Sequence, residues 1–141
     1  MPIAIASDHA GYYLKQVLSA YLREQGFKVL DLGTDSPVES VDYPDFGYAL
    51  AEAIASGRAE RGVAICGTGI GISIAANRHR AVRCALCHDV TGARLARQHN
   101  NANVVAFGAR VIGEAVARDS LSAFLVTPYE GGRHERRVAK L

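Results

Sequence analysis

No apolar stretch approaches the length that spans a bilayer, so no transmembrane helix is predicted. The opening Met1-Pro2-Ile3-Ala4-Ile5-Ala6 has no basic n-region and leads straight into structure, which predicts no signal peptide and a cytoplasmic location. Cysteine is scarce: three residues, an odd number, argue for free thiols rather than a disulfide framework. The only methionine is Met1, so the usual sulfur axial ligand of a haem is missing. Cys84-Ala85-Leu86-Cys87-His88 spells the haem-attachment pattern, but covalent attachment needs export. In a strand, residues three apart face opposite sides, which argues equally against a redox pair or a two-thiolate zinc site. Cys84 and Cys87 are therefore read as packing residues.

Other absences remove whole function classes. No lysine follows the glycine-rich segment at 67–71, which excludes the phosphate loop of nucleotide hydrolases. The third glycine comes one residue too early for the dinucleotide fingerprint, and Asp89 opens a helix rather than ending a strand. Thr68 stands where a hydrolase elbow needs serine. No basic run is interleaved with aromatics, so nucleic acid is not the expected partner. No repeat, low-complexity segment or linker interrupts residues 1–141, which are read as one domain. A hydrophobic content of 49% rules out a disordered chain.

Charge is present but unevenly spread. Residues 1–70 hold 5 basic and 9 acidic side chains, whereas residues 71–141 hold 11 basic and 5 acidic. The arginines of the second half are scattered, which fits a discrete anion pocket.

The chain is organised around Gly62 to Arg78. Val63, Ala64 and Ile65 read as a strand buried on both faces. Cys66 ends it, Gly67, Thr68, Gly69, Ile70 and Gly71 make a turn, and a helix follows. A thiol thus sits where backbone amides at a helix N-terminus meet a ligand and favour a thiolate. Around this centre, strands are predicted at Ile3 to Ala6, Phe27 to Leu32, Val82 to Leu86 and Val104 to Phe107. Helices are predicted after Gly11, from Phe46 to Ser56 with Asp45 as cap, after His88, from Ile112 to Phe124, and from Arg133 to Leu141. Strand and helix alternate five times, which predicts a three-layer α/β fold: an open five-stranded parallel sheet, flavodoxin-like, order 2-1-3-4-5, with an extra C-terminal helix.

In such a sheet the ligand lies beyond the strand C-termini, where strand order reverses. That rule brings Asp8 and His9, leaving the first strand, to Cys66 and its glycine turn. Arg110 leaves the fifth strand at the same end. His99 and Asn100 stand before the fifth strand, the wrong end for this pocket unless a second subunit supplies them. Arg133 and Arg137 share one face of the last helix, with a spacing that suits a phosphate. The set points to acid–base work on a phosphorylated small molecule. Tyr12, Tyr13 and Tyr21 are assigned to helix packing, Asn77 and Arg78 to structure. His79, His88 and His134 are assigned to surface or packing.

Ser7-Asp8-His9-Ala10-Gly11, Asp42-Tyr43-Pro44-Asp45, Cys66-Gly67-Thr68-Gly69-Ile70-Gly71 and His99-Asn100-Asn101-Ala102-Asn103 stand in an order and spacing that resemble the type B ribose-5-phosphate isomerases. Gly108-Ala109-Arg110, Arg133 and Arg137 extend the resemblance over essentially the whole chain. It implies an aldose–ketose isomerase of the pentose phosphate pathway, without metal or cofactor, acting through a cis-enediolate. By the same resemblance Cys66 is the base and Thr68 assists it. The amides of Gly67, Gly69, Ile70 and Gly71 hold the enediolate oxygen. His99 opens the furanose ring, and Asp8 and Asn100 bind sugar hydroxyls. His9, Arg110, Arg133 and Arg137 hold the phosphate, and Tyr43 lies near the pocket. Relatives that use a glutamate base carry it where this chain has Ile72. The resemblance also implies a homodimer or homotetramer with the site between subunits. Three other readings stand beside ribose 5-phosphate isomerisation: an allose-6-phosphate or related hexose-phosphate isomerase, a non-catalytic sugar-phosphate or nucleotide-binding module, and a thiol redox protein.

Overall fold

The computed structural model describes residues 1–141. Three strands form its centre: β1 (Ile3–Ser7), β3 (Arg61–Cys66) and β5 (Val104–Gly108). Nearly every residue of the three is buried, as parallel strands covered on both faces require. β2 (Val29–Asp31) and β4 (Cys84–Leu86) are short, and all pairings are parallel.

Alternation along the central strands sorts two cores. Ile3, Ile5, Val63, Ile65, Val105 and Phe107 point to one face. They meet Leu18 and Leu22 of α1 (Tyr12–Glu24), Ala93 and Ala96 of α4 (Val90–Asn100), and Leu121 and Phe124 of α5 (Glu114–Val126). The opposite face carries smaller side chains, among them Ala4, Ala6, Ala64, Cys66 and Ala106. There α2 (Tyr43–Ala55) and α3 (Ile70–Ala76) pack close to the sheet through Leu50, Ala51, Ala53, Ile72 and Ala76. Gly47 permits the α2–α3 approach, because a Cβ would stand 2.8 Å from that of Ala75. α6 (Arg133–Val138) closes the chain.

The three-layer parallel architecture matches the expectation from sequence, but the strand order is β2-β1-β3-β5-β4. The last two strands are exchanged relative to the predicted 2-1-3-4-5. β5 is wholly buried and apolar, which suits the interior position, whereas β4 is three half-buried residues preceded by Arg83, which suits an edge. The Asn77 side chain covers part of that edge: its amide nitrogen donates to the Cys84 carbonyl at 2.9 Å, and its oxygen accepts from the Cys84 amide at 2.7 Å. The structural role expected of Asn77 is thus explained.

Two smaller expectations shift. α2 begins at Tyr43, one turn before the predicted start, with Asp42 at the cap position, Pro44 in the first turn and Asp45 inside the helix. Proline's fixed φ is preorganised for that position. Tyr21 packs on the core as expected, but Tyr13 points outward at 70% exposure.

Candidate functional site

Parallel register sets the site. Ser7 pairs with Ile65, so Asp8 leaves β1 beside Cys66; Cys66 itself pairs with Gly108, so Arg110 leaves β5 on the other flank. Because β5 rather than β4 adjoins β3, Arg110 enters this crevice directly. Backbone bonds lock the three exits together: Asp8 N–H donates to the Ile65 carbonyl at 3.2 Å, Ala109 N–H to Cys66 at 2.9 Å and Arg110 N–H to Gly67 at 2.9 Å.

Cys66 is buried, and its Sγ accepts the Gly69 amide at 3.2 Å. The turn that delivers this amide depends on glycine at 69. Its φ is +76°, and a Cβ there would stand 2.8 Å from the Phe107 backbone. The Ile70 amide donates to Thr68 Oγ1 at 3.2 Å. The amides of Gly67, Thr68 and Gly71 donate to no other protein atom. The turn therefore divides its donors: Gly69 and Ile70 turn inward, while Gly67, Thr68 and Gly71 keep theirs for an outside acceptor. A side chain at Gly71 would run into the Tyr43 ring, which places Tyr43 over the first turn of α3. The Arg110 side chain extends past Gly67, with its Cδ 3.5 Å from where a Cβ would be.

Asp8 is 6% exposed, and one carboxylate oxygen accepts the Gly11 amide at 3.1 Å. Gly11 is tight against β3: a Cβ would lie 2.9 Å from the Ile65 carbonyl. His9 Nδ1 accepts the Val41 amide at 3.1 Å. In the neutral ring this leaves Nε2–H as a donor. Asp8, His9, Tyr43, Cys66 to Gly71 and Arg110 are thus brought together, from four separate segments.

His99, Asn100, Arg133 and Arg137 are not in that group. His99 and Asn100 occupy the last turn of α4, at the opposite end of the sheet. Asn101 ends the helix in the left-handed region at φ +47°, a conformation asparagine tolerates better than most residues. Buried Arg97 holds this terminus, donating to Asn101 Oδ1 at 2.9 Å, the Ala102 carbonyl at 2.6 Å and the Thr127 carbonyl at 3.3 Å. Burial, with Arg61 and Arg83 nearby, pushes its guanidinium below the ordinary value. Asn103 ties β5 to the β4 approach through the Arg83 amide and the Ala81 carbonyl.

Arg133 and Arg137 are exposed on α6, which packs against α4. Asn100 lines a groove of about 660 Å³ shared with Asn77, Arg83, Cys84, Val138 and Leu141. None of the residues around Cys66 lines it, so within one chain the candidate residues form two separate groups.

His134, assigned from sequence to surface or packing, is a packing residue with a specific neighbour. It is 7% exposed and stacks on His99, with ring centroids 4.4 Å apart and planes inclined by 17°. Its Nε2 lies 3.4 Å from Glu130 Oε2. Sequence spacing gives no sign of this contact, because a turn brings His134 back onto α4.

Cys84 and Cys87 face opposite sides of the sheet, each against a different core, as the strand geometry requires. Burial pushes their thiols up to about 12 and about 11 respectively. Neither is activated, and no disulfide joins any pair of cysteines. No helix is long and apolar enough to cross a membrane.

Comparison with known proteins identifies the family and the fold. The family described as ribose/galactose isomerase matches residues 3–141. Ribose-5-phosphate isomerase B of Escherichia coli (strain K12) is 47% identical, the match covering 96% of this chain and 91% of that protein. The crystal structure of a ribose 5-phosphate isomerase from Thermotoga maritima is 51% identical with a TM-score of 0.96, over 99% of this chain and 95% of that one. Ribose-5-phosphate isomerase B from Mycoplasma genitalium, solved with bound ribulose-5-phosphate, is 40% identical with a TM-score of 0.94, over 99% of this chain and 92% of that one. With a whole-chain family match, close relatives and the same fold, the chain belongs to the ribose/galactose isomerase family and is an aldose–ketose isomerase.

Proposed function

We propose that this enzyme interconverts ribose 5-phosphate and ribulose 5-phosphate, with Cys66 as the base. The observation that carries the reading is the Cys66 sulfur at the end of β3, accepting the Gly69 amide and flanked by Asp8 and Arg110. The relative solved with ribulose-5-phosphate supports the choice of sugar.

The chemistry follows in steps. Ribose 5-phosphate is mainly a furanose, so the C1–O4 bond opens first. His99 takes the proton from the C1 hydroxyl, O4 gains one, and C1 becomes an aldehyde. Cys66, as thiolate, then removes the proton from C2, and the C2–H electron pair becomes the C1–C2 double bond. Negative charge develops on O1. The free amides of the glycine turn meet it; preorganised donors of this kind are worth ~2.7–4 kcal/mol each. The O2 hydroxyl loses its proton and O1 gains one. Cys66 returns its proton to C1, leaving a ketone at C2. The Thr68 hydroxyl, beside the turn, assists the transfer, and Asp8 and Asn100 bind hydroxyls.

His9, Arg110, Arg133 and Arg137 hold the phosphate, which supplies binding energy remote from the reacting carbons. His99, Asn100, Arg133 and Arg137 reach this pocket from a second copy of the chain, since one chain holds them at the other end of its sheet. The assembly is a homodimer, or a homotetramer built from such dimers, and it works in the cytoplasm as part of the pentose phosphate pathway.

The test is direct. Incubation with ribose 5-phosphate should yield ribulose 5-phosphate, and the Cys66→Ala variant should not catalyse the conversion. Comparable or faster turnover of allose 6-phosphate would favour the hexose-phosphate reading. Binding without turnover of either sugar would leave only a binding module.

A further inference from the structure

The contact between His99 and His134 lies outside the roles assigned above. We propose that His134 is a positioning residue, and that its ring, backed by Glu130, sets the plane of His99 for ring opening. The inference rests on the reading of His99 as the ring-opening group.

His99 sits in the last turn of α4; Arg97 holds the backbone there, but no hydrogen bond within the protein fixes the His99 imidazole. Something else must fix the imidazole, because proton transfer requires placement to within about 0.5 Å. Three contacts supply that. The Glu130 amide donates to the Gln98 carbonyl at 3.2 Å, pinning the segment before α6 to the residue next to His99. Gly131 and Gly132, with φ of +66° and +56°, then reverse the chain so that α6 returns along α4. His134 arrives with its ring over His99, centroids 4.4 Å apart, and is 7% exposed. The Glu130 carboxylate lies 3.4 Å from His134 Nε2, a buried nitrogen that makes no hydrogen bond within the protein.

The same three side chains bring donor atoms within 4.8 Å of one another. Rings inclined by only 17° keep their in-plane lone pairs from converging on one ion, so the arrangement stacks rather than chelates.

His134 also shares α6 with Arg133 and Arg137, so loss of its ring has two distinguishable consequences. If His134 only seats the helix, phosphate binding weakens and KM rises. If it positions His99, turnover falls and KM holds. The experiment compares His134→Ala, His134→Phe and His99→Ala in steady-state assays with ribose 5-phosphate. For His134→Ala, kcat should fall ~10-fold with KM within about twofold of the parent enzyme. His134→Phe keeps a flat ring to stack and should regain most of the lost turnover. An unchanged kcat in His134→Ala, a rise in KM alone, or no recovery in His134→Phe overturns the proposal. Full activity in His99→Ala would instead remove the ring-opening role of His99 itself.

Discussion

The two ends of the sheet are built differently. At the strand C-termini, β1, β3 and β5 deliver Asp8, Cys66 and Arg110 side by side, and backbone hydrogen bonds lock their exits. That end is assembled by the fold itself. At the other end, His99, Asn100, Arg133 and Arg137 depend on a helix terminus, a glycine turn and a six-residue helix. A helix that short has little stability of its own. The rigid end suits chemistry that needs a fixed base and fixed amides. The other suits groups that take up their final positions against a second copy. Loss of Cys66 should therefore strike turnover, and loss of the phosphate-binding arginines of α6, Arg133 and Arg137, should strike substrate binding.

The largest effect should come from Cys66→Ala. Turnover should fall by about a thousandfold or more, within the range general bases contribute, with the fold intact by circular dichroism. A variant within tenfold of the parent enzyme would remove the thiol from the mechanism. Next in size is Arg137→Ala. Loss of one charge-assisted contact to phosphate should raise KM ~10–100-fold and leave kcat nearly unchanged; an unchanged KM would detach α6 from the phosphate. Gly69→Ala tests the turn between them. The left-handed φ and the nearby backbone at 107 and 108 leave no room for a methyl group. Destabilisation of about 2 kcal/mol is expected in chemical denaturation, together with reduced turnover as the amide moves off Cys66 Sγ. A variant as stable as its parent would contradict that geometry.

The smallest effect concerns the other thiols. Burial raises Cys84 to about 12 and Cys87 to about 11, above the ordinary 9.0. Between about pH 9 and 11 the unfolded chain has released these protons while the folded chain keeps them. Stability should therefore fall as pH rises through that window. Replacing both cysteines with alanine should flatten the fall. In the native protein at pH 8, iodoacetamide should leave the buried Cys87 unmodified; ready alkylation there would show that it is not a buried thiol.

Much of this plan is legible in the residues. Continuous apolar runs mark β1, β3 and β5, and the rule that ligands lie at strand C-termini joins Asp8 to Cys66 across more than fifty residues of sequence. The exchange of β4 and β5 is harder to read, because local periodicity reports that a strand exists and not which strand it joins. Arg83 and the brevity of the apolar segment around Cys84 are the available signal. The stack of His134 on His99 depends on dihedral angles at Gly131 and Gly132, which no spacing rule encodes. Nor does the pattern of glycines reveal which amides of the 67–71 turn face inward and which remain free.

The central claim is that a base held in one chain works with a histidine supplied by another. Cys66→Ala and His99→Ala subunits carrying different tags should be coexpressed and the mixed assembly purified. Each variant alone should be nearly inactive. A mixed dimer holds one site with both groups intact and one site lacking both, so it should regain about half the parent activity. A mixed assembly as inactive as its parents would contradict the claim.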